Sequence, residues 1–128
     1  MSELKARCSC GQLNAVCQSA PLHVFVCHCS ECKLRTGSAF GYQALFNENQ
    51  VQITGKSKSY TQIGDNGFRV SFNFCPNCGS QVWYRAERAE QLVGIPAGAF
   101  ADAGFQPPSK SIFESSKHPW VELIGVIE

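Results

Sequence analysis

The chain has 128 residues, and its 11 Lys+Arg against 10 Asp+Glu give a formal charge of +1. With no basic stripe, nucleic acid and anionic membranes are excluded as expected partners, because neutralising phosphates takes clustered cations. Hydrophobic residues at 44% and charged residues at 16% exclude a disordered composition and predict one core-forming domain over residues 1–128.

No apolar run approaches the roughly 18 residues of a membrane span. Met1-Ser2-Glu3-Leu4-Lys5 opens no secretory signal. The expectation is a soluble, cytoplasmic protein.

Short alternating segments rich in β-branched and aromatic residues recur between turn signals, which predicts a mainly β fold. Leu13 to Gln18 alternates, and Leu22 to His28 alternates more clearly. On the second segment His23, Phe25 and Cys27 share one face, and Val24, Val26 and His28 the other. Ser30 to Arg35 predicts one short helical turn, capped by Ser30 and stopped by Gly37. Phe40 to Phe46 and Val51 to Ile53 are further strands. Ser57 to Ile63 and Phe68 to Phe74 flank Gly64-Asp65-Asn66-Gly67, whose Asn-Gly step predicts a hairpin. There Phe68, Val70, Phe72 and Phe74 are expected on one face. Gln81 to Arg85 and Gln91 to Ile95 continue the pattern. Pro107-Pro108 marks a loop before a last ordered stretch, Ile112 to Ile127. The architecture expected is antiparallel β-sheet with one or two short helical turns.

Eight cysteines are the unusual quantity: Cys8, Cys10, Cys17, Cys27, Cys29, Cys32, Cys75 and Cys78. Thiols one or two residues apart bridge each other poorly but grip a metal ion well. Without a secretory signal, metal is favoured over disulfides. Cys8-Ser-Cys10-Gly11 and Cys75-Pro-Asn-Cys78-Gly79 would together supply four thiolates, which saturate tetrahedral zinc. Such a site is structural, and its binding energy is part of the folding energy. It would clamp the early chain to the end of the Phe68–Phe74 strand, across 64 intervening residues. An alternative pairs Cys29 and Cys32 with Cys75 and Cys78 as one long zinc ribbon, leaving Cys8, Cys10 and Cys27 idle.

Cys27, Cys29 and Cys32 have a different count. Three protein ligands and an open position make the composition of a catalytic zinc site. Zn2+ with three thiolates carries a net charge of −1, so it activates water poorly but still takes an added thiol as thiolate. Cys17 could be a fourth ligand, although a lone cysteine on an alternating strand reads more simply as a small buried hydrophobe. His28 is turned away by alternation and is expected to pack or hydrogen-bond beside the metal rather than bind it. Lys33 and Arg35 could offset the anionic centre, meet substrate carboxylates, or be solvated. Trp83, Tyr84, Phe100, Phe113 and Trp120 could line a pocket, with core packing the expectation for most.

The string Cys27-His-Cys-Ser-Glu-Cys-Lys-Leu-Arg-Thr-Gly-Ser-Ala-Phe40 resembles the signature of the glutathione-dependent formaldehyde-activating enzyme family. The early C-x-C-G, the later Cys75-Pro-Asn-Cys-Gly79, Pro96-Ala-Gly-Ala-Phe-Ala-Asp102 and Lys117-His-Pro-Trp120 follow in the family's order. The resemblance covers about Cys8 to Trp120. It implies a coiled β-sheet zinc domain similar to that of methionine sulfoxide reductase B. It also implies a structural zinc on Cys8, Cys10, Cys75 and Cys78, and a second, catalytic zinc on Cys27, Cys29 and Cys32. The activity it implies is addition of glutathione to formaldehyde, giving S-hydroxymethylglutathione, classed in reverse as a carbon–sulfur lyase.

Two function classes compete. In the first, a zinc-held thiolate such as glutathione attacks a small aldehyde, or the reverse reaction cleaves the adduct. In the second, both metals are structural and an exposed β surface binds a protein without catalysis. Methionine sulfoxide reductase chemistry is disfavoured, because it uses two C-x2-C pairs and leaves the triplet without a place.

Overall fold

Residues 3–126 are described in a computed structural model, where the alternating segments pair into two sheets. The first sheet has the order β1-β2-β5, formed by β1 (Leu4–Arg7), β2 (Asn14–Cys17) and β5 (Val51–Thr54), all antiparallel. The second has the order β10-β3-β4-β9-β8-β7-β6. It comprises β3 (His23–Cys27), β4 (Gly41–Asn47), β6 (Lys58–Ile63), β7 (Arg69–Phe74), β8 (Gln81–Ala86), β9 (Leu92–Pro96) and β10 (Lys110–Ile112). The β10–β3 pairing is parallel and the other neighbours in this sheet are antiparallel. One α-helix, α1 (Ser30–Thr36), and four short 3-10 turns are found among the described residues. The mainly β architecture matches the expectation.

The expected strands are present within a residue or two, with two additions. β1 escapes an alternation reading because Lys5 and Arg7 flank a single core residue, Ala6, which is fully buried. β10 is three residues on an edge and gains its strand character only from β3 beside it. The stretch expected to be ordered from Ile112 begins at the end of β10 and continues through a 3-10 turn at Glu114–Ser116 and further turns without another strand, and Ile127 lies outside the described residues. Phe68 falls before β7 and is exposed, so the expected aromatic stripe begins at Val70. The hairpin loop closes as its residues dictate, with Gly64 N–H on Phe68 carbonyl at 2.9 Å and Phe68 N–H on Asn66 Oδ1 at 3.0 Å.

Register sorts the large sheet's side chains. Val24, Ala44, Phe46, Val93 and Ile95 form one face and pack with Ala6, Leu13, Ala15 and Cys17 of the N-terminal region into a single buried cluster. Phe46, Leu13 and Ile95 have no exposed surface. Each such side chain contributes about 1.5–3 kcal/mol by leaving water. The opposite face carries Phe25, Cys27, Gly41, Gln43, Leu45, Gly94, Tyr84 and Phe72, as the pairs Cys27↔Gly41, Phe25↔Gln43, Leu45↔Gly94, Tyr84↔Gly94 and Phe72↔Tyr84 require. α1 is tied to this second face through Gln62 Nε2, which donates to Glu31 Oε2 at 2.6 Å. The face away from the core is therefore the one that holds the second cysteine cluster.

Candidate metal centres

Two tight turns bring Cys8, Cys10, Cys75 and Cys78 together, with their sulfurs all within 4.8 Å of one another. The first turn is closed by Cys8 N–H on Leu13 carbonyl at 2.9 Å, the second by Cys75 N–H on Ser80 carbonyl at 3.0 Å. Gly11 and Gly79 follow the knuckles at φ 85° and 81°, a region that glycine enters without a Cβ clash. The 3.6 Å between Cys8 and Cys10 sulfurs and 3.7 Å between Cys10 and Cys75 sulfurs fit a tetrahedron with metal–sulfur bonds of about 2.3 Å, whose edge is roughly 3.8 Å.

Donors surround these sulfurs. Leu13 N–H reaches Cys8 Sγ at 3.3 Å, and the amides of Asn77 and Cys78 reach Cys75 Sγ at 3.3 and 3.5 Å. Gln12 adds a side-chain bond: its Nε2 donates to Cys75 Sγ at 3.0 Å and to Lys56 carbonyl at 2.6 Å, while its Oε1 accepts from Lys56 N–H at 2.9 Å. The Ser80 hydroxyl, 3.5 Å from Cys78 Sγ, is the main cause holding that thiol down at about 5, helped by the backbone at Cys10 and Ser80. Hydrogen bonds aimed at the charged form of a thiol favour a thiolate. The donor set suits a soft divalent metal.

Cys27, Cys29 and Cys32 form a second group, again with sulfurs within 4.8 Å of one another. Cys27 ends β3, and Cys29 rather than Ser30 caps α1, with its Sγ accepting from Cys32 N–H at 3.4 Å. One turn of helix then carries Cys32 back over Cys27. Gly37 ends the helix in the left-handed conformation as expected. Cys27 is buried, whereas Cys29 and Cys32 are partly open to solvent.

Arg35 Nη2 approaches Cys32 Sγ to 3.5 Å, and its Nη1 donates to Gln81 Oε1 at 2.7 Å. A hydrogen bond from the Cys27 thiol, assisted by Cys29 and by the Arg35 charge, holds Cys32 down at about 5. Cys27 is pushed up by the same bond with Cys32 and by burial. In the metal-free triplet these causes favour the thiolate on Cys32 over Cys27. Lys33 points elsewhere, donating to Ser116 carbonyl.

Cys17 lies apart from both groups, fully buried on β2, and burial pushes its thiol up to about 12. The sulfurs gather as four and three, not in the zinc-ribbon pairing of Cys29 and Cys32 with Cys75 and Cys78. His28 turns away from the sulfurs as alternation predicts: its Nε2 lies 3.0 Å from Ser111 Oγ and 3.3 Å from Glu114 Oε2. Burial pushes this imidazole down against the pull of Glu114. Of the five aromatics, Tyr84 and Phe100 are buried, Trp83 is half-buried against the core, and Phe113 and Trp120 are exposed. Tyr84 stands on the triplet's face, and burial pushes its phenol up, opposed by Arg35.

The fold and these groups define a two-sheet β protein with one four-thiol and one three-thiol cluster, each able to hold a metal ion. The chain belongs to the glutathione-dependent formaldehyde-activating enzyme family, whose model matches residues 3–116. The crystal structure of a Rhodobacter sphaeroides protein is similar in fold, with a TM-score of 0.55 at 20% identity, covering 80% of this chain and 91% of that one.

Proposed function

We propose that the protein is a zinc-dependent enzyme that adds a small thiol such as glutathione to a small aldehyde such as formaldehyde, and in reverse acts as a carbon–sulfur lyase. The observation that carries this reading is the contrast in sulfur count. Four sulfurs in one group complete a tetrahedron, whereas the three of Cys27, Cys29 and Cys32 leave one corner for a ligand from solution. In this reading Cys8, Cys10, Cys75 and Cys78 hold a structural zinc, and the triplet holds the catalytic one.

A zinc ion on the triplet would supply a positive centre that lowers the pKa of an incoming thiol and keeps its sulfur in place. Cys27, Cys29 and Cys32 set where that sulfur stands, and Arg35 offsets the negative charge that a fourth thiolate adds. The sulfur lone pair forms the new C–S bond and the carbonyl π pair moves onto oxygen. Oxygen then takes a proton from solvent, where the thiol's proton was released. Membership of the family supports glutathione and formaldehyde as the pair.

The test is metal content and rate together. Purified protein should carry two zinc equivalents and form the adduct faster than the uncatalysed mixture. The Cys27→Ser/Cys29→Ser/Cys32→Ser variant should remain folded, keep one equivalent and lose the acceleration. A native protein that neither binds thiol nor exceeds the uncatalysed rate would leave the protein-binding reading in its place.

A further inference from the structure

Gln43 occupies the middle of β4 on the triplet's face, between Gly41 and Leu45. It is only 3% exposed, and neither Nε2 nor Oε1 has a hydrogen-bond partner among the described residues. A buried primary amide with both ends unmet costs stability, and such groups call for a reason.

Its direction supplies one. A Cβ placed on Gly41 would meet Gln43 Nε2 at 3.1 Å and Cys32 Sγ at 3.5 Å. The amide nitrogen and the Cys32 sulfur therefore border one small space, kept clear because residue 41 has no side chain. Gly41 is also the cross-strand partner of Cys27. The unmet amide therefore lies beside Cys32, on the sheet face that carries the triplet.

We infer that the Gln43 amide is a catalytic group that holds the oxygen of the carbonyl substrate and then the hydroxyl of its thiol adduct. This rests on the thiol–aldehyde reading above. The carbonyl oxygen accepts from Nε2–H. As negative charge gathers on that oxygen, a donor already in place, in a site with little water, stabilises it. The finished hydroxyl accepts from Nε2–H and donates to Oε1, so the adduct satisfies both ends of the amide. Gln43 neither gives nor takes a proton; the proton on the new hydroxyl comes from solvent. A neutral amide suits this place, since a cation would pair with the thiolates and a carboxylate would repel them.

The experiment uses zinc-loaded full-length protein, with glutathione and formaldehyde as probes. In a nitrogen-15 spectrum, the Gln43 side-chain NH2 resonance should hold its position with glutathione alone and shift when formaldehyde is added. Gln43→Leu should slow adduct formation roughly 100-fold, the scale of losing one oxyanion donor. Its glutathione affinity and zinc content should be unchanged and its melting temperature equal or higher, since an unmet buried amide is gone; Gln43→Met provides a second replacement of similar volume.

Three outcomes overturn the assignment. The resonance could ignore formaldehyde while glutathione binds, or both variants could keep the native rate. Alternatively, both could lose zinc and glutathione in proportion to rate, which would make Gln43 a donor to Cys32. If native protein binds no glutathione at all, it is the thiol–aldehyde reading that falls first.

Discussion

Arg35 Nη2 lies 3.5 Å from Cys32 Sγ, one helical turn away on α1. The i,i+3 spacing puts the two side chains on the same strip of the helix. The guanidinium is held from behind as well, its central carbon 4.4 Å from the centroid of the Phe72 ring. A cation fixed by a ring and by Gln81 loses little freedom on meeting a thiolate.

That contact predicts a pH profile. In zinc-free, reduced protein, Cys32 is a thiolate above about 5, held there by the Cys27 thiol first and by Arg35 with it. Only the thiolate alkylates. Labelling of Cys32 by iodoacetamide should therefore stay fast at pH 6 and fall as the pH drops through about 5. Arg35→Ala should move the midpoint upward, and Arg35→Lys by less, because a point charge replaces a stacked fork. Peptide mass spectrometry across pH reads both. An unmoved midpoint in Arg35→Ala would assign the effect to the thiols alone.

The four-sulfur group predicts a stability effect graded by position. Cys75 is fully buried and accepts from Gln12, Asn77 and Cys78, whereas Cys78 is exposed. Cys75→Ser should cost several kcal/mol and most of the soluble yield, since metal binding and folding are linked there. Gln12→Ala keeps all four sulfurs but unties Cys75 from the Lys56 backbone, and should cost about 1–2 kcal/mol. Chemical denaturation with zinc assay separates the two. A Cys75→Ser protein with native melting and full zinc would remove this group from the metal ligands.

The partition of sulfurs was legible because C-x-C-G and C-x2-C-G spacings are local instructions: each fixes two thiols before any tertiary contact exists. Strand alternation located β2 to β9 for the same reason. Gln43 was not legible, because a glutamine among Tyr42, Ala44 and Leu45 reads as ordinary alternation until β3 fixes the register. Gln12 and Ser111 act across 63 and 83 residues on Cys75 and His28, and no spacing rule spans such distances. Lys33 and Arg35 look alike in sequence, and only the helix phase sends one to Ser116 and the other to Cys32.

His28 anchors the triplet's loop from below. Its imidazole is fully buried between Cys27 and Cys29 in sequence, with Ser111 and Glu114 at Nε2 and Phe40 5.4 Å away between ring centroids. Ser111→Ala removes one partner without changing shape, at a cost of about 1–3 kcal/mol for a buried group left short. Zinc should also leave the triplet faster, because the loop bearing Cys27 and Cys29 loses the side-chain bond from His28 to Ser111 and keeps only the backbone pairing to β10. Competition with a chromophoric chelator gives the rate. A lower melting temperature without faster zinc loss would show that His28 does not position the triplet.

Gly94 sets the other side of the same face. It pairs with Tyr84 across β8 and β9, and the phenol ring lies directly over it: an added Cβ would fall 2.0 Å from Tyr84 Cζ and 2.3 and 2.4 Å from the two Cε atoms. No such approach survives, so in Gly94→Ala the ring must move. It would move against Phe72, whose centroid is 5.7 Å from that of Tyr84, and Phe72 is the ring beneath Arg35. Overpacking of this kind costs about 1–3 kcal/mol. A displaced Phe72 also loosens the guanidinium from Cys32. Gly94→Ala should therefore both lower the melting temperature and raise the Cys32 labelling midpoint, in the direction of Arg35→Ala but by less. Gly98→Ala, where an added Cβ meets nothing within 4 Å, should change neither. If Gly94→Ala destabilises while the midpoint stays at about 5, Phe72 does not position Arg35, and the guanidinium is held by Gln81 alone.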